Sequence, residues 1–136
     1  MNYAESAEPF GEDEVVLVDS ACNVLAINKE RLFSNLDKSK VRKIKTAQKK
    51  SVVHVKGVGD VGPLKNAYWC PDSSENLCGV NILKDMGYMI ILDDYCIIVD
   101  KVTDATVVQT AAINGIYVIY LNQLIILLQE LKLSKT

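Results

Sequence analysis

Val15-Val16-Leu17-Val18 runs straight into Asp19-Ser20-Ala21, and this junction restricts the fold more than any other stretch. A run this short and this rich in valine reads as a buried strand, not a helix. Asp19 then stands where a buried strand stops. A carboxylate at that position is costly unless it is hydrogen-bonded or used for chemistry. Asp-Ser after a strand is also an ordinary turn, because both side chains bond nearby backbone.

At 136 residues the chain is long enough for one domain with its own core. The net charge of −2 says little, but its layout says more. Glu5, Glu8, Glu12, Asp13 and Glu14 crowd the start, so residues 1–13 are expected to form a flexible acidic leader. The start has no basic segment followed by an apolar one, so a signal peptide is not expected. No apolar run is long enough to span a bilayer. Cys22, Cys70, Cys78 and Cys96 have no C-x-x-C spacing and His54 is the sole histidine, so no metal site and no cofactor are expected. Scattered cysteines without a signal peptide suggest reduced thiols in an intracellular, cytoplasmic protein.

Further along, Val53 and Val55 alternate with His54 and Lys56, a strand pattern. Gly57, Gly59 and Gly62 follow closely, a density that predicts a tight hairpin tip or a loop. They do not make a phosphate loop, because G-x-x-x-x-G-K-[ST] is absent. Leu64 to Trp69 reads as a strand. Asp72 to Glu75 offer caps and early acids for a helix over Asn76 to Met86, stopped by Gly87. Tyr88–Leu92 and Tyr95–Val99 read as a hairpin around Asp93-Asp94. Thr106–Ala111 and Ile116–Leu121 read as strands around Asn114-Gly115. Leu121, Leu124, Ile125, Leu128 and Leu131 repeat at helical spacing, so an amphipathic helix is expected over 121–136. Short strands with one mid-chain helix imply an all-β barrel or sandwich with helical decoration.

Two segments together carry a resemblance. Val16-Leu17-Val18-Asp19-Ser20-Ala21 and Asn76-Leu77-Cys78-Gly79-Val80-Asn81-Ile82-Leu83 resemble a retropepsin, an apolar strand ending in Asp-Ser/Thr-Gly followed by an apolar-apolar-Gly element opening a helix. Gly57-Val58-Gly59, Leu64 to Pro71, and Asn114-Gly115-Ile116-Tyr117-Val118-Ile119 look like the copia-typified retroelement subfamily. Residues 14–120 are thus similar to the protease domain of a Ty/copia-type Pol polyprotein.

The resemblance implies an all-β, retropepsin-like closed barrel with one short mid-chain helix and a C-terminal helix. It implies Asp19, Ser20 and Ala21 as the catalytic motif and a polypeptide substrate. With a single Asp19 per chain, a homodimer would bring two carboxylates together to share one proton. It also implies a substrate-covering flap near Gly57, Val58 and Gly59. The family has glycine where this chain has Ala21, adding a methyl where two loops should nearly touch. A misplacement of about 1 Å can cost about 10²-fold in rate. The Leu-Trp-His…Gly-His segment that follows the barrel in the polyproteins is also missing, so a fragment or a retroelement-derived gene is expected.

Two other function classes compete with an active protease. One is a catalytically inactive barrel serving for binding or assembly. The other is a nucleic-acid-binding barrel using Lys38, Lys40, Arg42, Lys43, Lys45, Lys49 and Lys50. Single-strand binders stack bases on aromatic rings. No aromatic residue lies between Phe33 and Tyr68, so this stretch reads as a solvated face and nucleic acid is not expected as a partner.

Overall fold

The computed structural model describes residues 14–20, 22–46 and 51–134. The expected leader over 1–13 lies outside the described residues, as does Ala21. In order, the elements are β1 (Val15–Asp19), β2 (Leu25–Ile27), β3 (Ser34–Asp37), β4 (Arg42–Thr46), β5 (Ser51–Val55), β6 (Gly57–Val61) and β7 (Leu64–Trp69). There follow β8 (Asn76–Gly79), α1 (Val80–Asp85), β9 (Tyr88–Leu92), β10 (Tyr95–Asp100), β11 (Thr106–Ala111), β12 (Val118–Tyr120) and α2 (Leu121–Ser134). The chain is mostly β with two helices.

The larger sheet has the order β12-β1-β8-β2-β7-β6-β3, and β11-β10-β9 and β4-β5 form two smaller ones. Strand β1 lies second from one edge of this sheet, antiparallel to the edge strand β12 and parallel to β8. It is buried on both faces. Val16 and Val18 join one apolar cluster with Leu25, Ile27 and Cys78. Leu17 joins another with Ala26, Leu77 and Val118. A strand covered on both sides reads as a continuous apolar run, which is why Val15 to Val18 shows no alternation.

Among the described residues no ladder joins β3 to β12, so the ladders do not close the barrel expected from the sequence. The apolar face is covered instead by α2 and the three-stranded sheet. Leu121, Leu124, Leu127 and Leu128 of α2 lie in one core with Cys96 and Ile98 of β10 and Val108 of β11. Each fully buried leucine contributes about 1.5–3 kcal/mol. Packing of this face therefore holds α2 in place more than propensity does.

The helix expected over Asn76 to Met86 is shorter. Asn76 to Gly79 are a fully buried strand, and α1 occupies only Val80–Asp85. Leu77 and Cys78 fit either period, and the slot between β1 and β2 decides for strand. The acids of 72–75 consequently do not serve α1, whose N-cap is Gly79. A second correction concerns Gly57 to Gly59. They lie within β6, buried, with the turn to β7 at Gly62-Pro63. A Cβ on Gly59 would stand 2.9 Å from the Leu36 Cα and 3.1 Å from the Ser34 carbonyl oxygen, so this glycine admits the β3 backbone. The turns at Asp93-Asp94 and Asn114-Gly115 fall where expected, the latter with both residues at positive φ.

No helix among the described residues is long and apolar enough to cross a membrane. Cys22, Cys70, Cys78 and Cys96 are all free thiols.

Candidate active site

Asp19 ends β1 directly opposite Gly79, the last residue of β8, in parallel register. The two sequence motifs therefore meet side by side. The chain then turns, with the Cys22 N–H donating to the Asp19 carbonyl at 3.4 Å. It returns along β8, where the Gly79 N–H donates to the Val24 carbonyl at 2.8 Å. The return strand presses on Gly79. A Cβ there would overlap the Cys22 carbonyl oxygen and stand 2.6 Å from its carbon. Only glycine leaves room for backbone on backbone at this point. Asn23 ties the same loop to α1, its Oδ1 accepting from Asn81 Nδ2 at 2.8 Å.

Asp19 is buried with 6% of its surface exposed, while Ser20 is exposed. The pleat places Asp19 on the same face of β1 as Leu17. The half-buried Cys22 thiol is pushed up from its ordinary value, chiefly by burial and further by the nearby Asp19 charge. The buried carboxylate thus sits at the end of β1, beside a loop that is itself fixed to β8 and α1.

Gly57, Val58 and Gly59 are not brought to an exposed tip. Val58 does share the apolar cluster of Leu17. The hairpin on that side is β4–β5, a sheet of its own paired from Arg42↔Val55 to Thr46↔Ser51. Val55 belongs to the Leu17 cluster, and Ile44 and Val53 pack against it. The sequence carried a signal for this pairing, apolar Ile44 among bases facing the alternating Val53 and Val55. Its tip, 47–50, lies outside the described residues.

Basic residues near this hairpin meet aromatic rings that are distant in sequence. The Lys38 ammonium lies 5.2 Å from the Trp69 ring centroid, and the Arg42 guanidinium 5.5 Å from that of Tyr68. Arg42 also donates to the Tyr68 hydroxyl at 3.2 Å. These rings are covered by cations of the chain itself. His54 is exposed on β5, and among the described residues no group of three or more His, Cys, Asp or Glu is placed to hold a metal ion.

A cavity of about 540 Å³ lies at the other end of β1, lined among others by Glu14, Leu17, Asn28 and Val118 but not by Asp19. No family model, curated protein or solved structure matches the chain.

Proposed function

We propose that this chain is one subunit of a homodimeric aspartic endopeptidase of the retropepsin type, its fold a retropepsin-like barrel left open between β3 and β12. The observation that carries the reading is the parallel register of Asp19 with Gly79, with the Asp19-to-Cys22 turn pressed on a glycine that tolerates no side chain. That arrangement fixes a buried carboxylate at a strand end on a rigid base, as a catalytic acid or base requires.

One chain supplies one Asp19, so two subunits must bring their carboxylates together. Two carboxylates in contact cannot both ionise easily. One then activates the attacking water as the base, and its protonated partner donates to the scissile carbonyl. Ser20 would bond across the dimer and hold the two turns. Hairpin β4–β5 serves as the flap in place of the Gly57–Gly59 segment, because its apolar side packs over the Leu17 face that also carries Asp19. Ala21 favours a second reading, an inactive retroelement-derived barrel kept for binding or assembly.

A peptide-library digest separates the two. Wild type should cleave at mildly acidic pH, with a rate per subunit that rises with protein concentration until dimers saturate. Asp19→Asn should abolish turnover and leave the fold intact, since the amide fills the same space. Ala21→Gly should raise the rate. Cleavage that survives Asp19→Asn would rule the mechanism out, and silence from all three proteins would select the inactive barrel.

A further inference from the structure

The two larger sheets guard most of their edges. Strand β3 carries Asp37 and an irregular register, β12 is three residues long, and β11 meets a register shift at Ile98/Val99. Charge, short length and bulges are devices that stop an edge from pairing with another chain. Strand β9 has none of them. Its sequence, Tyr88-Met89-Ile90-Ile91-Leu92, holds no charge and no proline. Its register with β10 runs unbroken from Tyr88↔Asp100 to Leu92↔Cys96, and among the described residues no strand pairs with its other side.

The hydrogen bonds at the two ends of this hairpin show which way the β9 backbone points. The Asp93 N–H donates to the Tyr95 carbonyl at 3.1 Å, and the Lys101 N–H to the Gly87 carbonyl at 3.1 Å. Bonded pairs recur every second residue in an antiparallel ladder, so Met89 and Ile91 turn their backbone groups toward β10. Ile90 and Leu92 turn theirs outward, and among the described residues neither makes a backbone hydrogen bond on that side. The side chains alternate as well. Ile90 and Leu92 pack on the core, while Met89 and Ile91 stand 43% and 42% exposed on the outer face.

We propose that β9 pairs antiparallel with β9 of a second copy of this chain, about a two-fold axis at Ile90. In this register each Ile90 N–H donates to the partner's Ile90 carbonyl. Met89 comes opposite the partner's Ile91, and Ile91 opposite the partner's Met89, at non-hydrogen-bonded positions where Cα atoms approach to about 4.5 Å. The exposed apolar side chains then cover one another. Charge favours the same orientation. Asp93 and Lys101 are exposed at opposite ends of β9, with Lys101 bonded beside Gly87. The two-fold places the partner's Asp93 across Gly87 from Lys101, with about 10 Å between their Cα atoms, within reach of a lysine side chain. A Cβ at Gly87 would meet nothing within 4 Å, so the ammonium and the carboxylate meet across open space. A two-fold contact of this kind closes on itself. The pairing does not rest on the protease reading and holds whether or not the chain cleaves peptides.

The test follows the full chain by sedimentation velocity across about 1–100 μM. Wild type should pass from monomer to dimer over this range. Met89→Lys and Ile91→Glu should each raise the dimer dissociation constant at least about tenfold, because a charge is buried opposite an apolar side chain. Both positions are exposed in the single chain, so far-UV CD should show the fold unchanged. Combined in one chain, the two changes face each other as opposite charges and should recover most of the loss. Lys101→Glu should weaken the dimer, and adding Asp93→Lys should restore it. A wild type that stays monomeric throughout, or a dimer indifferent to both Met89→Lys and Ile91→Glu, overturns the pairing. Losses that the double variant does not recover overturn the register. A dimer that responds as expected yet cleaves no peptide keeps the pairing and retires the protease.

Discussion

The two ends of β1 differ in how their polar groups are handled. At the Asp19 end, backbone packs on backbone. The Cys22 carbonyl fills the space beside Gly79, and the loop is tied down by Gly79 N–H and by the Asn23–Asn81 pair. At the Glu14 end, side chains meet across a cavity, and Glu14 pairs with Lys29 at 2.9 Å and Arg31 at 4.0 Å. One end of the strand is thus closed by backbone packing, and the other borders a cavity. Close packing and a cavity lie within one strand, joined by Leu17, which belongs to the apolar cluster of one region and the lining of the other.

Perturbations at the two ends should therefore differ in size. Gly79→Ala is the most severe, because its Cβ collides with backbone that has no other path. Denaturant unfolding should show a loss of more than about 3 kcal/mol, or no folded protein at all. A loss under about 1 kcal/mol would break the contrast. Asn76→Ala comes next. This buried side chain accepts from the Asn28 N–H and donates to the Val15 carbonyl at 3.4 Å, linking β1, β8 and the Asn28 segment. Leaving buried groups unpaired should cost about 1–3 kcal/mol by the same measurement.

The smallest and most graded effect is alkaline. Burial pushes the Cys78 thiol up to about 12, with Cys22 and Cys96 adding to it, and pushes Cys70 to about 12 and Cys96 to about 11, from 9.0. These thiols stay protonated in the folded chain at pH values where the unfolded chain has lost the protons. The unfolded state then binds fewer protons, so stability is full below about pH 9 and falls as pH rises toward 12. Thermal melts from pH 8 to 10.5 should show Tm falling above pH 9. The fall should be shallower in Cys78→Ala, whose starting Tm is lower. Identical slopes would show that Cys78, one residue from Gly79, does not carry the alkaline sensitivity of the closed end.

Much of this was legible in the residues. The apolar run into Asp19 is a buried strand because nothing else fits a short valine-rich stretch. Asn114-Gly115 is a turn because both residues take positive φ, and Leu121, Leu124 and Leu128 of α2 are buried because their spacing makes one face. The Gly57–Gly59 segment misled because glycine has two uses, and the sequence does not separate them. It frees φ in turns, and it also removes a side chain where another strand comes close, here Leu36 of β3. Asn76 to Gly79 misled because Leu77 and Cys78 suit a helix face as well as a buried strand, and only the slot between β1 and β2 settles which.

Local pattern therefore determined where several of the strands and turns lie and that Asp19 would end one of them, but not β3, β6 or β8. The tertiary structure alone decided that Gly79 stands beside Asp19, that Tyr68 and Trp69 lie beside Arg42 and Lys38, and that Asn28 and Glu14 face one cavity. The physical reason is range. Periodicity and turn chemistry act over a few residues, whereas these juxtapositions join residues tens of positions apart and arise only when the sheet order brings their strands together.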